Sequence, residues 1–316
     1  MNTRIKNGIE RIAGMTYGVE IEYTGVRRGT MARAVAEAVG GTARYDGSHL
    51  QNWVVTMPDG RAWQIESDAS VDGSDSGTGG EVVTPILTYA DMDTLQRVVR
   101  AMRAAGARVD ASCGSHVHVG AKDMTAMQVR NLVKAFYRQE ELILKACGVR
   151  ASRLGHYTQR QDRMFVDRIA AMRRPTMDAI GRAYYGGHIP ADTVYNHYHN
   201  ARYRTLNLHN LWNGGKHTVE FRFFEGTFHA GEIRTNVLLA LTLTAYAMDA
   251  RSTSSGGARR AYREASGKYD LRVLLLRLGW IGDEFRNPRR HMMARVGGSA
   301  AWKDGAAHGR GGRRAA

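Results

Sequence analysis

The sequence predicts an α+β fold, and three observations predict it. Short segments at residues 18–23, 114–120 and 217–224 alternate apolar and polar side chains with the period of two that a half-buried strand requires. Longer segments, above all 125–147 and 232–250, place apolar residues at helical spacing. Two pairs of predicted strands are joined by short turn sequences, Pro58-Asp59-Gly60 and Asn213-Gly214-Gly215, which implies hairpin-like pairing.

In chain order, residues 18–23 form a strand with Val19, Ile21 and Tyr23 on one face and Glu20 and Glu22 on the other. Successive carboxylates on one face repel and are costly to bury without a partner, so this face either meets water or holds a cation or basic clamp. Residues 30–39 read as a helix stopped by Gly40-Gly41, and residues 42–51 as loop. A hairpin follows over 53–57 and 61–66. Residues 67–80, rich in Ser, Gly and Asp, read as a flexible loop, either a lid or a surface excursion. Residues 81–85 predict a strand and 91–105 a helix. The strand at 114–120 repeats the first arrangement, with His116 and His118 on one face and Val117 and Val119 on the other. A long amphipathic helix at 125–147 closes on Gly148. Residues 150–200 read as mixed helix and loop.

Residues 203–208 and 217–224 predict paired strands. On the second, Val219, Phe221 and Phe223 share one face, Glu220 and Arg222 the other. A helix over 232–250, a small-residue linker at 252–257 and a helical stretch at 262–279 follow. From residue 297 the composition collapses to Gly, Ala and Arg, which reads as a disordered basic tail. The expected organisation is a single domain over 1–296, with its core motifs at about 15–250 and a C-terminal helical part at 260–290, then the tail at 297–316.

A chain of 316 residues can bury a substantial core, and 43% hydrophobic with 24% charged residues is ordinary for a soluble globular protein. A net charge of +15 is not ordinary. It favours polyanionic partners, although Arg scattered along helices serves solubility equally well. Two cysteines without a CxxC pair exclude a disulfide scaffold and fit a reducing compartment. No apolar stretch follows Met1 to Lys6, and the longest apolar run, 237–248, is too short for a bilayer, so a cytoplasmic location without membrane attachment is expected.

The residues that carry chemistry are spread over these strands. Glu20, Glu22, Glu81 and Glu220, with Asp68 close by in order, supply carboxylates. His116 and His118 supply imidazoles, and Arg202, Arg204 and Arg222 supply cations. Carboxylates with an imidazole suit Mg²⁺ or Mn²⁺, whereas the short-spaced Cys/His clusters of a structural zinc site are absent. Guanidinium groups beside such a site suit phosphate, so the set points to metal-assisted phosphoryl transfer with two or more cations.

Five blocks of the sequence resemble a known family: Gly18-Val19-Glu20-Ile21-Glu22; Asp68-Ala69-Ser70; Gly80-Glu81-Val82-Val83-Thr84-Pro85; Gly114-Ser115-His116-Val117-His118-Val119-Gly120; and Arg202-Tyr203 through Asn207 into Thr218-Val219-Glu220-Phe221-Arg222. Each is weak alone; together and in order they resemble the putative amidoligase family, related to glutamine synthetase and glutamate–cysteine ligase. The resemblance implies a curved antiparallel sheet with helices packed behind it, a glutamine-synthetase-like catalytic fold. It implies a ligase that uses ATP as co-substrate to form an amide through an acyl phosphate, joining a carboxylate substrate and an amine donor. By that analogy Glu20, His116 and Glu220 hold one metal ion, and Glu22 and Glu81, with Asp68, another. His118 lies near the nucleotide phosphates, Arg222 and Arg202 steady the transferred group, and Asn207 orients by hydrogen bonding. Arg204 belongs to the nucleotide-binding candidates, yet it sits on the opposite strand face from Asn207 and is the one expected to point away.

Competing readings stand beside these. His118 also reads as a strand histidine bonded to a backbone carbonyl, and Asp68 as the cap of the turn that opens the loop. Tyr184-Tyr185 and residues 196–200 read as aromatic packing rather than a substrate pocket, Cys113 as small core filler, and Glu140-Glu141 as a solvated helix face. Two other classes fit the charge and the carboxylates: a metal-dependent nuclease or phosphoesterase, and a non-catalytic basic binding module that keeps the fold. Neither the substrate pair, for which peptides, amino acids and other acidic compounds all qualify, nor the oligomeric state follows from the sequence.

Overall fold

Alternating apolar strand faces must be covered, and here one extended sheet supplies them all. The computed structural model describes residues 7–155, 158–193, 195–196, 199–251 and 258–303; the expected linker at 252–257 and residues 304–316 of the expected tail lie outside them. The described strands are β1 (Tyr17–Thr24), β2 (Thr42–Tyr45), β3 (Trp53–Thr56), β4 (Ala62–Glu66), β5 (Gly79–Val83), β6 (Gly114–Gly120), β7 (Leu206–Asn207) and β8 (Thr218–Glu225). They form a single open sheet in the order β2-β3-β4-β5-β1-β6-β8-β7, antiparallel throughout. The helices are α1 (Gly8–Ile12), α2 (Arg28–Val39), α3 (Met92–Ala104), α4 (Ala126–Cys147), α5 (Arg163–Ala171), α6 (Met177–Tyr184), α7 (Ala230–Asp249), α8 (Gly267–Arg277) and α9 (Arg286–Met293). The class is α+β, with helices packed around the sheet.

The predicted apolar faces make the core. Val19, Ile21 and Tyr23 of β1, Val117 and Val119 of β6, and Val219, Phe221 and Phe223 of β8 are all buried. Phe136 of α4 meets Phe221 edge-on at 6.0 Å and Phe223 at 5.6 Å. The longest apolar run lies within α7, buried along most of its length. Among the described residues no helix is long and apolar enough to cross a membrane. Gly40 and Gly148, both left-handed, end α2 and α4 as expected.

Four local readings need correction. Residues 42–45 are not loop but the edge strand β2; it is mostly exposed, so its sequence shows no apolar alternation. The strand expected at 203–208 contracts to β7, between 3₁₀ turns at Asn200–Tyr203 and His209–Leu211, because the Asn207 side-chain carbonyl accepts the His209 amide and turns the chain. The loop at 67–80 is tied down. The buried Arg28 guanidinium donates to the carbonyls of Leu50, Ser74 and Gly79, and Val71 and Ser74 are buried. Glu140 does not face water: it is 0% exposed, accepts from the Thr205 hydroxyl and the Gln161 amide, and pairs with Arg259. Of the expected tail, Gly297 donates its amide to the Tyr262 hydroxyl and accepts the Lys268 amide.

Candidate active site

The polar strand faces fall on one side of the sheet, and pairing register sets who meets whom. Glu20 of β1 stands opposite His116 of β6, and His118 opposite Glu220 of β8. On the other flank Glu22 of β1 stands opposite Glu81 of β5, which in turn stands opposite Glu66 of β4. Asn207 of β7 stands opposite Glu220. The result is one row of ionisable groups across adjacent strands, above a cavity of about 490 Å³ lined by Glu20, Glu66, Asp68, Glu81, His118, Arg202, Asn207, Lys216, Glu220 and Arg222 among others.

The half of the row on β1, β6 and β8 is internally paired. Glu20 Oε2 lies 3.1 Å from His116 Nδ1, and Glu20 Oε1 lies 3.1 Å from His118 Nε2 and 3.3 Å from Lys216 Nζ. Glu220 Oε1 accepts from the Arg222 guanidinium at 2.7 Å, and Glu220 Oε2 from the Asn207 amide at 2.7 Å. Burial alone would raise the pKa of both carboxylates. For Glu20 the two histidines and Lys216 outweigh it and hold the group well below the usual range. For Glu220 Arg222, His118 and His116 outweigh it, bringing the pKa down to about 2. Burial would lower His118, but Glu20 and Glu220 raise it instead. Lys216 is raised, first by Glu20.

In the half on β1, β5 and β4, burial and like charge act together. Burial raises Glu81 well above the usual carboxylate range, and Glu20, Asp68, Glu22 and Glu66 all push in the same direction. Burial also raises Glu66, opposed by Lys216 and assisted by Glu20. Glu22 accepts the Gly114 amide and lies 3.5 Å from His116 Nε2. Asp68 Oδ1 accepts from the Ser70 amide at 2.7 Å and hydroxyl at 2.6 Å, so it caps its turn and faces the cavity at once.

Glu20, His116 and Glu220 can each offer one ligand atom, all within 4.8 Å of one another, a donor set that suits a single divalent cation. Arg202 lines the cavity; Arg204 does not, and donates to the Arg160 carbonyl at 3.1 Å. His118 is not held by a backbone carbonyl: its Nδ1 lies 3.3 Å from the Thr218 hydroxyl. Sequence reasoning missed Glu66 and Lys216. The signal for Glu66 was present, since it alternates with the buried Trp63 and Ile65 and must face the acidic side. Lys216 sits just before β8 and carries no periodic signal.

The model of the family described as putative amidoligase enzyme matches residues 13–244, and the chain belongs to that family. No curated protein matches it. The matched span takes in every strand of the sheet and every acidic residue of the row.

Proposed function

From this family membership we propose that the protein is an ATP- and Mg²⁺-dependent carboxylate–amine ligase, acting through an acyl phosphate on a glutamine-synthetase-like fold. The observation that carries it is the row itself: carboxylates and a histidine able to hold cations, flanked on one strand by the buried Arg222 guanidinium. Glu20, His116 and Glu220 would hold one cation, and Glu22, Glu81 and Asp68, joined by Glu66, would hold another. Bound there, divalent cations would neutralise the charge of a nucleotide's phosphate oxygens.

Arg222 is fixed by Glu220 and by stacking 5.8 Å from the centroid of the Tyr203 ring, so its charge is preorganised towards the cavity. In the proposed reaction it stabilises the phosphoryl group as the substrate carboxylate oxygen attacks the γ-phosphorus and ADP leaves. The amine then attacks the acyl carbon and inorganic phosphate leaves, giving the amide. Asn207 holds Glu220 in place, and Arg202 adds a second positive charge at the rim. His118, ion-paired to Glu20, faces the same cavity as a donor for phosphate oxygens.

The test is incubation with Mg²⁺, ATP and a pool of carboxylates, amines and peptides, following ADP and phosphate with product mass. Product one water lighter than its two components, lost in Glu20→Ala, supports the ligase. Cleavage of nucleic acid without ATP would replace it with the nuclease reading.

A further inference from the structure

A second cavity of about 400 Å³ adjoins the acidic one, and Tyr203 lines both. Its walls are the partly buried rings of Tyr184, Tyr185, His199 and Tyr203, with Gln159 and the Arg204 guanidinium at its edge. The rings are held in place rather than loosely packed. Tyr184 sits edge-on to Tyr185 at 5.1 Å and stacks on Trp212 at 5.7 Å, and Tyr185 meets His199 edge-on at 5.0 Å. Their hydroxyls tie this cavity to the other one. The Tyr184 hydroxyl donates to the Ala201 carbonyl and lies 3.2 Å from the Asn207 side-chain carbonyl, and the Tyr185 hydroxyl lies 2.7 Å from His209 Nδ1.

Among the described residues the lining contains no carboxylate, and its one formal charge is Arg204, whose guanidinium also donates to the Arg160 carbonyl. Aromatic walls favour a planar or apolar group, and a guanidinium with side-chain amides favours an anionic oxygen over an ammonium. The acidic cavity has the opposite bias. We propose that the aromatic cavity binds the body of the carboxylate substrate, an acid bearing an aromatic group such as an amino acid or short peptide, with Arg204 recognising an anionic oxygen other than the carboxylate that reacts. As a substrate assignment this rests on the ligase reading; as a binding site it is measurable without it.

Binding to the full chain is measured without ATP or metal, from Trp fluorescence and ligand-observed NMR. The probes are N-acetylphenylalanine and N-acetylphenethylamine, which differ only in the carboxylate. The acid is expected to bind about tenfold or more tightly, the scale of one charge-assisted hydrogen bond. Arg204→Gln should abolish that preference and Arg204→Lys should restore part of it, with unchanged melting temperatures marking both as folded. Equal binding of the two probes, or a preference that survives Arg204→Gln, overturns the proposal. Mg-ATP turnover with no acid binding here would sink the subsite and spare the ligase. Arg204-dependent acid binding with no ATP turnover would keep the binding site and sink the ligase.

Discussion

Replacing Glu220 by Gln removes one charge and puts an amide of the same shape in the carboxylate's place. The carboxylate accepts from Arg222 and Asn207 and lies 3.7 Å from His116 Nδ1, and it is 3% exposed. Its pKa falls from 4.5 to about 2 on folding, which at 1.36 kcal/mol per unit corresponds to about 3 kcal/mol of charge-linked stability. A folded pKa below the unfolded one means that the unfolded chain takes up the proton first as pH drops. The stabilisation is therefore complete above pH 4.5 and is lost as pH falls towards 2. Unfolding a chain of this size carries an entropy of about 0.6 kcal/mol/K, so the variant should melt about 5 °C lower at pH 7. Thermal and urea denaturation of metal-free protein, repeated at several pH values on the acid side, provides the assay. Glu220→Gln should show both the lower melting temperature and a shallower loss of stability with acid. A variant that melts within about 1 °C of the parent, with the same acid slope, would refute the view that Glu220 is held by ion pairing.

Lys216 Nζ lies 3.3 Å from Glu20 Oε1 and competes for it with any divalent cation, so Lys216→Met should raise Mn²⁺ affinity by about three- to tenfold in a spectroscopic titration; unchanged affinity would remove Lys216 from the site. Glu140→Ala leaves the Arg259 guanidinium and the Thr205 hydroxyl without their buried partner, and should cost about 3–5 kcal/mol in urea unfolding, with Glu140→Gln costing less. Burial pushes the Cys113 thiol up to about 11, so iodoacetamide at pH 8 should leave it unmodified in the folded chain and label it fully in urea, as read by mass spectrometry.

Most of the site was legible because strands convert sequence parity into a shared face. Glu20 with Glu22, His116 with His118, and Glu220 with Arg222 each follow from period two alone. Parity cannot supply register, which brings Glu20 to His116 and Glu81 between Glu22 and Glu66. The chain around Asn207 was harder, because the Asn207 side-chain carbonyl accepts the His209 amide and turns the chain, leaving a strand of two residues. Glu140 misled for a different reason. A buried carboxylate on an amphipathic helix looks like a solvated one until its partners, Thr205, Gln161 and Arg259, arrive from distant segments.

The two halves of the row do not argue for function equally. Glu20 and Glu220 have depressed pKa values because cations surround them, and a protein can hold such pairs for purely structural reasons. The crowding around Glu81 has no such excuse. Burial raises its pKa first, and four other carboxylates push the same way, two of them from directly opposite positions on the neighbouring strands, an arrangement that destabilises a sheet. Neutral residues at 66 and 81 would remove this repulsion and leave the core unchanged. Like-charge repulsion therefore gives no stability reason for this cluster, and a cation bound there, as the proposed ligase requires, would relieve it. On this ground the repelling half supports the proposal that cations bind the acidic face, beside the Glu20, His116 and Glu220 group that can offer ligand atoms to one.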